Sequence, residues 1–529
     1  MVLLLLLLLL LAVVRSYDLS YLKSGSDIRG TFSSASSADN SSSGQNLTPR
    51  ISYSIGAALA RTLPPSSSLL LGRDPRLSGP SLLNSFSLGL TTTQGLTTKT
   101  TNIATTPSIF QACLTGYADY GCIVTASHLP SDKNGFKIFD KHGPVSVERR
   151  DELLKVAGRI YDEIEGEEYE NEGRGEGVDY MEVYVASLVD YVESSLGPKG
   201  LSGLKVLLNS GSGSGFYLNE VLGRCGADVS CSINLKPDGR FQNGPPNPEA
   251  KRMVTETIKA CEKSSEVDLG IMLDTDGDRV GFITPGENGR FVPLNRNRFV
   301  AVMASILANN NEGGKEIVVV TDSVTSLGLE KFVNGLKNMR MVRFKKGYMN
   351  VINEAKRLCG EGVDAELAIE TSGHSAFRGN SFMDDGTYSA IVVVCELARR
   401  RREAGGKGGS VMDWIEGLEE ASFEEELRLQ VLQPKETPTI NIYERIEEAV
   451  KNDGRWKVDE LNREGVRLVL EGEWGEGWFM LRPSLHDPVV SMQVECEVEK
   501  SKRLVGEVRN LIFAAVQDAV DFGELDGVE

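Results

Sequence analysis

At 529 residues the chain is too long for a single hydrophobic core and implies three or four domains. Its 40% hydrophobic and 25% charged residues are an ordinary globular composition. A net charge of −18 argues against a general nucleic-acid binder, which needs a basic footprint, yet leaves room for a locally basic cleft around an anionic small substrate.

The chain opens on VLLLLLLLLLAVV (2–14) followed by Arg15. That run is short for a bilayer span, and it lacks the basic start and small-residue cleavage site of a signal peptide. An organelle leader, a secretory leader and a mis-assigned gene start all stay open, and no other stretch is apolar enough to be transmembrane. SSASSADNSSSG (33–44), EIEGEEYENEGRGEG (163–177) and RRREAGGKGGS (400–410) read as surface insertions. Between them, ISYSIGAALAR (51–61) reads as a helix. KVLLNS (205–210), VDLGIML (267–273), EIVVVT (316–321) and AELAIE (365–370) read as buried strands. Strands alternating with helices imply α/β units with parallel or mixed sheets. In the last hundred residues TPTINIY, VRLVLEG and GWFMLRPS alternate more strictly, as strands of a smaller α+β domain would. None of the eight cysteines forms a C-x-x-C pair, so they read as buried free thiols of a reducing compartment.

Five apolar runs each lead into a polar, Gly- or Pro-containing loop: TASHLPSDKNGFK, SGSGSG, DTDGDR, ETSGHSAFRG and RPSLHDP. Ligands of open α/β sheets bind beyond the carboxyl ends of strands, so these loops are candidates for one site. In DTDGDR, Asp274, Asp276 and Asp278 alternate and would share one face of an extended segment. Three carboxylates so close repel one another unless a hard cation, Mg²⁺ or Ca²⁺, lies between them; the alternative is a solvated acidic turn. An EF-hand is disfavoured, because Arg279 and Pro285 stand where that loop needs Gly and Glu. SGSGSG (210–215) lacks dinucleotide-loop spacing and reads equally as a tight turn or a phosphate-approach loop. Arg482 in RPSLHDP suits phosphate, though such an arginine is equally a surface residue, and Glu370 and Ser372 in ETSGH suit sugar hydroxyls or equally a capped turn. Of four histidines, His128, His374 and His486 lie in these loops and His142 does not. SGSDIRG places Arg29 in a Gly-flanked turn, and Arg76 in GRDPRLSG reads as an ordinary salt-bridging turn.

In this order the motifs resemble the α-D-phosphohexomutase family, over nearly the whole chain. SGSDIRG is similar to its N-terminal arginine turn, TASHLPSDKNGFK to its phosphoserine loop and DTDGDR to its magnesium loop. ETSGH is similar to its sugar-binding loop and RPSLHDP to its C-terminal phosphate loop. The resemblance implies three mixed-sheet α/β domains and a smaller C-terminal α+β domain around a central cleft. The divisions expected here are 1–16 (leader), 17–198, 199–302, 303–425 and 426–529. It implies a phosphohexomutase that interconverts the 1-phosphate and 6-phosphate of a hexose, glucose and/or mannose. Ser127 would carry the phosphoryl group, and Mg²⁺ would sit among Ser127, Asp274, Asp276 and Asp278, with a hexose 1,6-bisphosphate as intermediate and activator. Arg29, Lys137 and His128 would stand at the reacting groups. Arg279, Lys345, Glu370, Ser372, His374, Arg482, Ser484 and His486 would bind substrate.

The partners so implied are hexose phosphates, with no nucleic acid or stable membrane association, in a monomer or dimer of the cytoplasm or plastid stroma. The chain departs from the family pattern at Leu129 (HLP for HNP), at Tyr348 in KKGYMN where His is frequent, and at His486-Asp487 where Thr-Glu is common. Ser127-His128 is not a hydrolase pair, since no G-x-S-x-G elbow is present. The rival expectations are a catalytically silent sugar-phosphate binder, a phosphoglucosamine mutase and a metal-dependent phosphatase; a dinucleotide enzyme ranks last.

Overall fold

The computed structural model describes residues 17–32, 46–164, 169, 175–286, 289–294, 296–406, 409–432, 439–453, 456–459, 461–470, 477–483 and 489–521. The apolar leader, the Ser-rich segment, most of the acidic insertion, Ser484 and His486 lie outside them. Two units divide the chain, 1–283 with 385–399, and 284–384 with 400–529.

The first unit contains two sheets. It begins with β1 (Asp27–Phe32), α1 (Pro49–Thr62), β2 (Ser68–Arg73), α2 (Gly79–Leu90), β3 (Thr97–Ile103) and α3 (Thr106–Leu114). β4 (Tyr120–Val124), β5 (Lys133–Asp140), α4 (Val147–Glu163) and α5 (Tyr180–Leu196) follow. The strands run in the order β1-β5-β4-β2-β3. The β4/β2 and β2/β3 pairs are parallel, and β1/β5 and β5/β4 are antiparallel. Helix α1 starts where Thr48 caps the Ile51 amide and Pro49 supplies a ready-made first turn. Its aliphatic face joins Leu69, Leu71, Phe86, Cys122 and Phe136 in the core. α3 opens on a capping box between Thr105 and Ser108.

The second sheet of this unit comes from β6 (Val206–Asn209), α6 (Tyr217–Arg224), α7 (Lys251–Lys263), β7 (Leu269–Leu273) and β8 (Val280–Pro285). β6 and β7 are parallel, and β7 and β8 form a hairpin around the acidic loop. Buried on both faces, β7 is apolar throughout, as a central strand must be.

The second unit carries α8 (Asn297–Asn309), β9 (Ile317–Thr321), α9 (Leu327–Gly335), β10 (Met339–Arg343), α10 (Tyr348–Gly360), β11 (Ala365–Ile369) and β12 (Ser375–Phe377). Its first sheet is ordered β10-β9-β11-β12, parallel except for β11/β12. The chain then runs through α11 (Gly386–Glu403) to β13 (Phe423–Val431), α12 (Thr439–Asp453), β14 (Val466–Leu470), β15 (Gly477–Pro483), β16 (Val489–Cys496) and α13 (Val498–Val516). These last strands form an antiparallel sheet ordered β14-β15-β16-β13, covered by α12 and α13. The architecture is thus several mixed-sheet α/β domains plus a distinct C-terminal β-rich domain.

TPTINIY is not a strand: α12 begins inside it. The β-branched residues favour a strand locally, but Ile442, Ile446 and Val450 recur every four residues and are all buried on the sheet. That longer period decides the local choice. No helix among the described residues is long and apolar enough to cross a membrane, and all eight cysteines are free thiols.

Candidate active site

β4 delivers Ser127 three residues beyond its end, and the residue is 2% exposed with φ +51, in the left-handed region. Its Oγ donates to Asp274 Oδ2 at 2.8 Å and lies 3.3 Å from His128 Nδ1. Asp274 begins the loop between β7 and β8. The other oxygen of its carboxylate accepts the Gly277 and Arg279 amides at 3.0 and 3.2 Å. The three acidic residues therefore converge by a turn that wraps its own first carboxylate, and not along one face of a strand.

Two further elements hold the loop. α3 offers its first residue, Thr106, whose amide reaches Asp276 O at 2.8 Å and whose hydroxyl reaches Asp276 Oδ2 at 2.6 Å. This sets a carboxylate at a helix N-terminus, where the dipole favours it. SGSGSG is a tight turn that packs on the same loop, with Ser214 donating its amide to Thr275 O at 2.7 Å. A Cβ on Gly213 would lie 2.8 Å from Thr275 O, so the approach requires glycine.

Lys137, on β5 and buried, bridges Asp276 Oδ2 at 2.9 Å and Asp278 Oδ2 at 2.5 Å. Arg29 on β1 pairs in register with Gly135 on β5, two residues before Lys137, and donates to Asp27 Oδ2 at 2.8 Å. Burial raises the Asp276 carboxyl, but the Lys137 ammonium, the Thr106 hydroxyl and Arg29 override it and hold it below the usual range. Burial, then Asp278 and Asp276, push Asp274 well above it.

Asp274, Asp276 and Asp278 each present an oxygen within 4.8 Å of the others. Asp276 Oδ1 is buried and has no hydrogen-bond partner. An all-oxygen donor set with an unpartnered buried carboxylate oxygen fits a hard divalent cation such as Mg²⁺.

In the second unit the ETSGH loop follows β11. Glu370 accepts the Gly347 amide at 2.5 Å and the Ser372 hydroxyl at 3.1 Å. Burial and the neighbouring Asp322 raise its carboxyl. His374 Nδ1 lies 2.6 Å from Asp384 Oδ2, and its ring stacks on Tyr348 with centroids 5.1 Å apart. Lys345 is exposed. Arg482 is buried on β15, where it pairs with Ser491 on β16.

The first unit thus assembles Ser127, His128, Lys137, Asp274, Asp276 and Asp278, with Arg29 alongside. Arg279 contributes its amide, and its side chain lies 3.9 Å from Glu249. The second unit assembles Glu370, Ser372 and His374. Sequence reading missed Thr106, for which the only signal was the capping box. It read Arg76 as a salt-bridging turn, which the Asp74 ion pair bears out, and gave it no place at the site. Arg76 is wholly buried under the Ser127 loop with Asp74, and the isolated buried ion pair is legible only once β4 and β5 are placed over it.

Three family models match the chain in order: phosphoglucomutase/phosphomannomutase alpha/beta/alpha domain I over residues 25–162, domain II over 182–287 and domain III over 295–408. A phosphoglucosamine mutase of Cereibacter sphaeroides is 28% identical over 489 residues, 89% of this chain and 96% of its own length. A phosphomannomutase/phosphoglucomutase of Pseudomonas aeruginosa is 27% identical over 486 residues, 89% and 93%. Among solved structures, a phosphoglucomutase/phosphomannomutase family protein from Burkholderia thailandensis superposes with a TM-score of 0.73 at 24% identity, covering 95% of this chain and 99% of that one.

Proposed function

Because the chain belongs to the α-D-phosphohexomutase superfamily, we propose that it is an active mutase interconverting hexose 1-phosphate and hexose 6-phosphate, with glucose or mannose phosphates as substrates. The observation that carries the reading is the Ser127 hydroxyl, 2.8 Å from Asp274 in a buried cluster of three aspartates and a lysine.

In the proposed reaction the free hydroxyl of the sugar phosphate attacks the phosphorus carried on Ser127. The bond from phosphorus to Ser127 Oγ breaks, and the proton lost by the sugar hydroxyl ends on the departing Ser127 Oγ, with the Lys137 ammonium and the Arg29 guanidinium stabilising the charge on the transferring group. The product is a hexose 1,6-bisphosphate. After it turns over, Ser127 Oγ takes the other phosphoryl group and the opposite monophosphate leaves. Mg²⁺, when bound by Asp274, Asp276, Asp278 and a phosphoserine oxygen, neutralises charge on the transferring group. Glu370 and Ser372 grip the sugar hydroxyls, with His374, Lys345 and Arg279 lining the substrate. Arg482, Ser484 and His486 hold the distal phosphate. The eight free thiols favour a reducing compartment, cytoplasm or plastid stroma.

A second reading, phosphoglucosamine mutase, is favoured by the relative of that name at 28% identity. The test is conversion of glucose, mannose and glucosamine 1-phosphates with Mg²⁺ and a trace of the 1,6-bisphosphate, with Ser127→Ala as control. Turnover that is lost in the variant supports the mutase, and the rank of the three sugars decides between the readings. Folded, phosphorylated protein that turns over none of them overturns both in favour of a silent binder.

A further inference from the structure

We propose that Asp74, Arg76 and Thr125 form a clamp that holds Ser127 in its left-handed conformation, so that its hydroxyl faces Asp274. This rests on the reading of Ser127 as the phosphoryl carrier. Arg76 has no exposed surface, and all five of its N–H donors are used. Nε donates to Asp74 Oδ2 at 3.0 Å. Nη1 donates to the carbonyls of Pro130 and Lys133, and Nη2 to those of Ser127 and Leu129. One guanidinium therefore ties down four carbonyls of the loop that carries the nucleophile.

The same ion pair reaches Ser127 from its other side. Thr125 Oγ1 donates to Asp74 Oδ2 at 2.7 Å and accepts the Ser127 amide at 2.9 Å. Both polar groups of the Ser127 backbone thus return to Asp74–Arg76. A non-glycine residue at φ +51 is unfavourable by itself and persists where its surroundings over-determine it. The strain aims Oγ at the acidic loop: relaxation of the backbone would swing the hydroxyl away from Asp274.

The clamp is braced from the turn at Asp238–Arg240. A Cβ on Gly239 would lie 2.2 Å from Pro75 O, and the Phe241 ring lies 5.2 Å from the Arg76 guanidinium. With every donor spent on the loop and on Asp74, Arg76 is a positioning residue and not a catalytic one. Lysine cannot replace it, because an ammonium has three donors at one point and no fork.

The experiment uses the full chain with Thr125→Val and Arg76→Lys. Each variant is assayed for kcat and KM with hexose 1-phosphate, and for the rate at which the 1,6-bisphosphate phosphorylates Ser127, read by intact mass. Misplacing a nucleophile by an ångström costs on the order of 10²-fold, so kcat and the phosphorylation rate should fall roughly 10–100-fold, with KM for the sugar phosphate within about twofold. A merely structural role would lower the melting temperature and the active fraction but leave phosphorylation of the folded fraction at the wild-type rate, and that result overturns the clamp. If Arg76→Lys does not fold, Thr125→Val, close to isosteric, decides alone. Wild-type turnover abolished by Ser127→Ala, with both clamp variants at full kcat, removes the clamp and leaves the mutase. A wild type that neither turns over nor takes phosphate on Ser127 removes both.

Discussion

Each unit of this protein buries a charged cluster, and the two are built to opposite ends. In the second unit Arg467 on β14 lies under the loop after β9, donating to Ser323 O at 2.9 Å and Thr325 O at 2.8 Å. Asp459 stands 3.3 Å from both Arg467 and Arg343, and Glu330 takes Arg343 at 2.6 Å. The Arg467 guanidinium covers the Trp478 ring at 3.8 Å, and the indole N–H donates to Glu495 at 2.8 Å. Cations and carboxylates here face one another in turn, which is how a buried charge is made tolerable. The Ser127 cluster instead crowds three carboxylates on one ammonium. It leaves Asp276 Oδ1 and the Thr275 hydroxyl without hydrogen-bond partners, and it drives Asp274 and Asp276 in opposite directions. The Arg467 cluster leaves a donor, Arg467 Nε, without a hydrogen bond, yet that atom lies 3.3 Å from the Asp459 carboxylate; the Ser127 cluster leaves a carboxylate oxygen unpartnered and is short of positive charge.

The sharpest way to break that contrast is Ser127→Ala, which should abolish turnover by a factor on the order of 10³ or more while the thermal midpoint stays within a few degrees of wild type. Full activity in this variant would reduce the acidic loop to a structural turn. Next in size, removing divalent metal with a chelator should silence the enzyme and Mg²⁺ should restore it. Asp276→Asn should raise the Mg²⁺ concentration needed for half-maximal rate by roughly 10-fold or more, about 1.4 kcal/mol for each tenfold. An unchanged Mg²⁺ requirement would remove Asp276 from the metal.

In the second unit the expected losses are of stability. Arg467→Met leaves Asp459 with Arg343 alone and two carbonyls without their donor, and should cost about 2–4 kcal/mol, read as earlier urea unfolding of the C-terminal sheet. A loss near zero would mean that the packing on Trp478, and not the charge, holds the region. The smallest effect concerns Glu495, whose carboxyl is pushed up to about 7 by burial, with Glu424 adding to it. A raised carboxyl keeps its proton longer in the folded than in the unfolded chain. Its contribution is therefore whole below about pH 4.5 and is lost as pH rises to about 7. Glu495→Gln should leave stability unchanged at pH 4.5 and raise it by up to roughly 3 kcal/mol at pH 8. Equal stability of the two proteins at both pH values would place the ordinary carboxylate value on Glu495.

Much of this contrast is legible without coordinates, and unevenly so. DTDGDR announced the acidic cluster because three aspartates within five residues have few benign explanations. The Arg467 cluster left no such mark: Arg343, Asp459, Arg467 and Glu495 are single charges in unrelated contexts, brought together by β10, β14 and β16. Thr106 was invisible for the same reason, since nothing in TTPS says which loop its helix will face. The salt-bridging turn at Arg76 was readable, but its complete burial was not, because a charged residue ordinarily faces solvent. Strand positions were readable to within about two residues from aliphatic runs. TPTINIY failed because β-branched residues were weighed over seven positions and the helical period needed twelve.

The sequence by itself determined the order of α/β units, the apolar central strands, the candidate serine and the three aspartates, and the family they mark. These are properties of composition and spacing within a few residues, where side-chain period and chemistry speak directly. Tertiary structure alone decided that Asp274 folds back on its own loop, that α3 and Lys137 claim Asp276, and that one buried arginine clasps the Ser127 backbone. Each of those depends on atoms far apart in the chain meeting within 3 Å or so, a distance that local pattern does not encode and only the packed sheets enforce.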